Sequence, residues 1–280
     1  MILAVATLAM MDACLKLLSP HYAPLQVTAL RGLSTLPLVL LWVGVKGGYG
    51  QVLRVRFHLH ALRGFLGIVT LVAFTYAVRR LPLSEAYSIF FVAPLFITAL
   101  AAIVLRERVD WQRWVAIGIG FTGVLIVLRP TGSGAATLPG LAVLLTALGY
   151  ALSAITVRIL GRTDSTESML FWMMLLVGLG AGALALPNWR PIQPEHWRVI
   201  GALGAAGSLG QWALTEAFKR GEASFIAPFE YTALAWGLTL DWALWRTVPP
   251  PITFAGAAVI IASGVYLIKR ERVHAEAERP

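Results

Sequence analysis

Ten apolar stretches, each close to the length of a bilayer crossing, fill nearly the whole of this 280-residue chain. They read as spans at about 2–18, 25–45, 61–78, 83–105, 112–128, 138–158, 167–186, 197–218, 223–245 and 252–268. A hydrocarbon core about 30 Å thick takes roughly 20 helical residues, and inside it every backbone amide needs an internal partner. These runs lack the period-two alternation of a barrel strand. The expected fold is therefore an all-α integral membrane protein of ten transmembrane helices. Hydrophobic residues make up 58% of the chain and charged ones only 13%, against about 25% charged in soluble domains. That excludes a water-soluble core.

Connections are short and carry helix breakers such as Ser19-Pro20, Gly47-Gly48, Leu81-Pro82, Pro187-Asn188 and Pro249-Pro250-Pro251. The net charge of +9 is not a nucleic-acid footprint, because Lys and Arg fall between apolar segments instead of along one polar face. With the N-terminus cytoplasmic, 15 Lys and Arg residues face inward, Lys46, Arg106, Arg162 and Lys269 among them, and 6 face outward, among them Arg79 and Arg190. Both termini of this multi-pass protein are thus expected in the cytoplasm. The first stretch lacks a basic n-region and carries Asp12 and Lys16, which does not read as a cleavable leader.

The spans fall into two sets of five. GVLIVLR at 123–129 closes the fifth span and GVYLIKR at 264–270 closes the tenth. Arg79-Arg80 followed by Glu85-Ala86 is echoed by Lys219-Arg220 followed by Glu222-Ala223. A diverged duplication follows, with repeats at residues 1–130 and 131–280. Five spans per repeat turn the second copy upside down, the architecture of a carrier that exposes a central site to alternate sides.

The segment LPLSEAYSIFFVAPLFITALAAIVLRERVDWQRWVAIGIGFTGVLIVLRP at 81–130 resembles the drug/metabolite transporter superfamily of the EamA type, and within it the YddG aromatic amino-acid exporters most closely. It carries a Leu-Pro turn, a small-residue helix start, a central proline (Pro94), an Arg-Glu-Arg turn and a Gly-rich span ending in Gly-Val. The resemblance implies secondary transport of a small-molecule solute, an aromatic or other large neutral amino acid, by a lipid-embedded monomer without a cofactor.

Ionisable residues inside spans cost several kcal/mol unless they face protein or water. Asp12 and Lys16 stand four apart and share one helix face, so they either pair with each other or face a cavity. Arg31 either grips a substrate carboxylate or snorkels to an interface. Glu85 and Glu222 lie where helix N-termini favour an anion, while Glu216 and Glu230 sit deeper. Tyr76, Tyr87, Phe90 and Phe91 in spans three and four, with Trp212, Phe218, Phe225, Phe229, Tyr231 and Trp236 in spans eight and nine, offer stacking faces for a flat amphipathic solute or simply pack. The expected hollow lies between these four spans. Substrate contacts are assigned to Tyr76, Tyr87, Phe91, Trp212, Glu216, Glu230 and Tyr231, and gating or coupling to Asp12, Lys16, Arg31 and Glu85. Asp241 is a further carboxylate available for proton coupling. Trp189, Trp197, Trp242 and Trp245 read as interface anchors. Gly201, Gly204, Gly207 and Gly210, with Gly118, Gly120 and Gly123, read as packing seams.

Rival readings are a proton antiporter for another solute, a membrane enzyme and a channel. No H-E-x-x-H or G-x-x-x-x-G-K-[ST] motif occurs. Gly48-Tyr49-Gly50 lacks the Thr-Val of a potassium filter. The five histidines fall in or beside connections.

Overall fold

A computed structural model describes residues 1–45, 52, 55–104, 111–128, 138–161, 163–220 and 227–277. Lys46, the Arg106-Glu107-Arg108 turn, Arg129, Arg162, Glu222 and Phe225 lie outside these residues, as do the side chains of Phe218 and Phe229. The described helices are α1 (Ile2–Leu18), α2 (Pro24–Val45), α3 (Phe57–Val78), α4 (Leu83–Phe90), α5 (Ala93–Val104), α6 (Trp111–Leu128), α7 (Leu138–Leu160), α8 (Thr166–Ala185), α9 (Trp197–Arg220), α10 (Ala233–Leu240) and α11 (Pro251–Ala277). No β-strand occurs among the described residues.

Among the described residues, four helices are long and apolar enough to cross a membrane: α2, α3, α7, and α8 with its extension to Asn188. Leu41, Phe65, Leu179 and Leu184 point outward and are more than half exposed. Water would penalise that surface, whereas lipid tails are as apolar as leucine.

Local chemistry sets the boundaries. Pro24 opens α2, where its missing N–H costs nothing. Ser165 caps α8 by accepting from the Ser168 amide at 3.2 Å. Helix α3 begins at Phe57, four residues before the span expected at 61, and so draws His58 and His60 into its first turn. The fourth span, read as one helix, is two: α4 stops at Phe90 because Pro94 has no N–H to give the Phe90 carbonyl. The ninth runs as a 3-10 segment (Ala227–Thr232), α10, and a π turn (Asp241–Trp245), which ends at Arg246 in the left-handed conformation, φ 55° and ψ 29°.

Helix α2 packs on α8 and α9, α1 on α9, α3 on α7 and α8, α6 on α11, α4 on α10, and α5 on α7. Helices α2 and α8 run antiparallel, Ala29 near Gly182 and Gly32 against Gly178. A Cβ on Gly32 would stand 2.4 Å from the Gly178 amide nitrogen, so only glycine fits this crossing. The seam expected along α9 is present at Gly204, which meets the backbone of Ser34, and at Gly207 and Gly210, which meet Met11 and Leu8. A Cβ on Gly201 or Gly118 would meet no described residue within 4 Å, so neither belongs to a described seam.

Candidate functional site

The first charged cluster grows from a helix start that cannot cap itself. Pro82 precedes α4 and offers no side-chain acceptor, so the first amides of α4 need one from elsewhere. Asp241, fully buried in the π turn, supplies it. Its carboxylate accepts from Leu83 N at 3.0 Å, Ser84 N at 2.9 Å and Ser84 Oγ at 2.7 Å. Lys16 of α1 completes the group with an ion pair to Asp241 at 2.9 Å. The Trp245 ring, four residues on, lies 4.2 Å below the ammonium, a cation–π contact. Two expectations are corrected here. Lys16 does not pair with Asp12, because Asp241 combines an unpaired charge with helix-start geometry. Glu85 sits in the first turn of α4, where an anion is favoured, and Asp241 adds a carboxylate that accepts from the Leu83 and Ser84 amides. Trp245, read as an interface anchor, packs on a buried charge.

Asp12 instead accepts from the Tyr87 hydroxyl at 2.9 Å. The Tyr87 ring stacks on Phe74 with centroids 6.5 Å apart and is pressed by Gly237, whose Cβ would sit 2.8 Å from it. The charge of Arg31 on α2 acts on Asp12 electrostatically. Arg31 is 7% exposed, and its Nε has no hydrogen-bond partner.

The end of the bundle that carries residues 19–26 and 186–197 is tied by polar contacts. Gln26 donates to the Arg190 carbonyl at 2.7 Å and accepts from the Arg190 amide at 3.0 Å. The Tyr22 hydroxyl accepts from Gln193 N at 3.0 Å and lies 2.8 Å from His196 Nδ1. Nearer the opposite end, Asp164 joins the α7–α8 turn to α3. It lies 2.8 Å from His60 Nε2 and also receives Thr163 Oγ1 at 2.7 Å, through its other oxygen, and the Arg56 amide. Desolvation, the largest influence on the Asp164 carboxyl, pushes its pKa up, but these hydrogen bonds together hold it below the usual carboxylate range.

A cavity of about 420 Å³ opens between α2, α8 and α9. Trp42 and Trp212 supply flat faces, Leu38, Val39, Leu170 and Met174 apolar walls, and Thr35, Ser208, Gln211 and Glu216 polar points. Apolar walls with a few placed polar groups are what a small-molecule site needs. The lining runs from the middle of α2 and α9 toward their C-terminal ends and comes from the N-terminal half of α8, so the cavity lies in the half away from the tied end.

The predicted residues separate. Trp212 and Glu216 line the cavity. Tyr87, Asp12, Lys16 and Arg31 belong to the charged centre. Phe91 and Tyr231 meet edge to face at 5.1 Å, and Glu230 acts on Tyr150 of α7. Tyr76 stays at the end of α3, under the Arg80 guanidinium at 3.9 Å. The described cavity lies between spans two, seven and eight, and not between spans three, four, eight and nine, where the hollow was expected. Sequence reasoning gave no role to Trp42, Tyr150 or the His60–Asp164 pair. A period-3.6 reading of Thr35, Leu38 and Trp42 would have flagged the first; the others depend on tertiary contact alone.

Apolar helices, charges buried among them and a cavity walled by two indoles define a multi-pass membrane protein that holds a small solute. The chain belongs to the EamA-like transporter family, which matches residues 1–129 and 138–269. It is 31% identical to a riboflavin transporter of Vibrio cholerae over 83% of this chain and 78% of that protein. It is 28% identical to an S-adenosylmethionine uptake transporter of Rickettsia prowazekii, covering 84% and 80%. With a pseudopaline exporter of Pseudomonas aeruginosa it shares 24% identity over 97% and 95%. A solved crystal structure shares the fold, with a TM-score of 0.67 over 96% of each chain at 18% identity. The EamA resemblance therefore holds, while its narrower part is not what these relatives carry: their solutes differ from aromatic amino acids.

Proposed function

We propose that this transporter exports aromatic or other large neutral amino acids across a bacterial inner membrane by alternating access. It would do so as ten helices in two inverted repeats, 1–130 and 131–280. The packing supports the duplication. Counting α4 with α5 as the fourth span and residues 227–245 as the ninth, the most extensive contacts between spans recur when five is added to or taken from both numbers, although that of α2 on α3 has no such counterpart. Thus α1 on α9 mirrors α7 on α3, and α2 on α9 mirrors α8 on α3. The pairs α2 with α8 and α6 with α11 map onto themselves.

The observation that carries the reading is the two-indole cavity lying in the half away from the tied end. With both termini cytoplasmic, that cavity belongs to the inner half and the Tyr22, Gln26 and Lys16–Asp241 contacts to the outer gate: an inward-facing state ready to load a solute for export. Labelled tryptophan and phenylalanine in proteoliposomes, with and without a pH gradient, test it. Concentration-driven transport indifferent to the gradient is expected of a uniporter, and stimulation by the gradient would establish proton antiport. No transport of either amino acid would sink the substrate assignment. Trp212→Ala is expected to weaken transport of ring-bearing solutes about tenfold and of small solutes little; equal losses would reduce Trp212 to packing.

A second reading, a larger flat solute such as riboflavin, is favoured by the cavity volume and by the Vibrio cholerae relative. Riboflavin transport in the same vesicles, without amino-acid transport, would establish it.

A further inference from the structure

We infer that Arg31 and Asp12 form a subsite for the zwitterionic end of the solute, Arg31 taking its carboxylate and Asp12 its ammonium group, next to the ring-binding cavity. The inference rests on the reading above and narrows its substrate class to solutes carrying an aminocarboxylate.

Three observations converge on it. Arg31 is buried on α2, its Nε has no partner, and no ion pair within 4 Å joins it to any described residue. A buried guanidinium left so is costly, and a bidentate carboxylate is the partner its planar fork fits. Thr28 and Thr35, also buried, leave their hydroxyls without partners. At positions i−3 and i+4 they share the face of α2 that carries Arg31. Finally, α1 and α2 come together at this level: a Cβ on Gly207 would meet Met11 Sδ at 3.2 Å and Thr35 Oγ1 at 3.3 Å. Asp12 follows Met11, and its charge and that of Arg31 act on each other. The Tyr87 hydroxyl uses only one position on Asp12 Oδ2, which leaves acceptor capacity for an ammonium group.

The position relative to the cavity is fixed by the helix. Thr35 lines the cavity and lies one turn, about 6 Å, along α2 from Arg31. A solute with a charged head and a ring on a short linker spans that step. Riboflavin, which has neither a carboxylate nor an amino-acid ammonium group, would leave the pair unused.

The test uses the full-length protein purified in detergent, with binding read by tryptophan fluorescence and by the thermal shift on ligand addition. The probes are L-phenylalanine, phenethylamine, which lacks the carboxylate, and 3-phenylpropionate, which lacks the ammonium group. Wild type is expected to bind phenylalanine about tenfold or more tighter than either analogue. Arg31→Gln is expected to bind phenylalanine and phenethylamine alike, Arg31→Lys to keep part of the preference, and Asp12→Asn to bind phenylalanine and 3-phenylpropionate alike. If Arg31→Gln does not fold, Arg31→Lys and the wild-type panel decide. Equal binding of all three phenyl probes by wild type would overturn the subsite while leaving a ring-binding carrier. Binding of riboflavin but of no phenyl probe would overturn both the subsite and the amino-acid reading. A uniform weakening of all probes in Arg31→Gln would make Arg31 structural and overturn its role.

Discussion

At the end of the bundle bearing residues 19–26 and 186–197, helices that are distant in sequence are joined by charge-assisted and backbone-directed contacts. Lys16 and Asp241 are 225 residues apart, and Gln26 binds the Arg190 backbone in both directions. In the other half, the described walls between α2, α8 and α9 are indoles and aliphatic side chains around a cavity. Polar contacts in this half include His60 with Asp164 and Arg63 with the Met169 carbonyl, which join α3 to the α7–α8 side. The contrast teaches how a carrier can be shut on one side only. At the tied end polar contacts bridge α1 and α2 to distant elements, whereas the cavity walls between α2, α8 and α9 are mostly apolar surface that a solute can cover.

The largest effect should come from removing the tie at its centre. Asp241→Ala leaves Lys16 buried without its partner and strips the acceptor from the Leu83 and Ser84 amides. Losing one member of a buried pair costs about 3–5 kcal/mol, so the purified protein is expected to melt far earlier than wild type in a fluorescence scan. Asp241→Asn keeps an acceptor for the amides and should lose less. Lys16→Met combined with Asp241→Asn should recover part of the loss, because no unpaired charge remains. A double variant as unstable as Asp241→Ala would show that the ion pair is not what holds this end.

A second comparison separates packing from position. Gly32→Ala drives a methyl into the Gly178 backbone, where no flexible side chain can yield; overpacking of this kind costs about 1–3 kcal/mol. Gly201→Ala, on an exposed face of α9 with no neighbour within 4 Å, should leave the melting temperature where it is. Equal behaviour of the two would mean the α2–α8 crossing relaxes freely.

Much of this organisation was legible in the chain because it is written in local terms. Apolar run length marked nearly every described helix, Pro94 marked the break between α4 and α5, and glycine spacing marked the α9 seam at Gly204, Gly207 and Gly210. What escaped was everything set by partners far away in sequence. Asp12 and Lys16 sit one turn apart, and spacing alone makes them a pair; only the fold brings Asp241 to Lys16 and Tyr87 to Asp12. The same blindness placed the hollow between spans three, four, eight and nine, where rings of span four meet rings of neighbouring spans, as Phe91 on Tyr231 and Phe90 on Tyr150. The cavity used two indoles from α2 and α9 whose shared destination no periodicity records.

The smallest effect concerns the tie in the cavity half. Hydrogen bonds hold the Asp164 carboxyl below its ordinary range, so the ionised form favours the folded state more than the unfolded one. That contribution is present in full above about pH 4, the unfolded value, and fades as pH falls through the lower folded value. Its size is about 1 kcal/mol, that of a single net hydrogen bond, and a few degrees in melting temperature. Asp164→Asn should therefore melt slightly below wild type at pH 7 and at pH 5, with the two curves converging only in stronger acid. An unchanged gap in strong acid would deny the Asp164 carboxylate any electrostatic part in this tie.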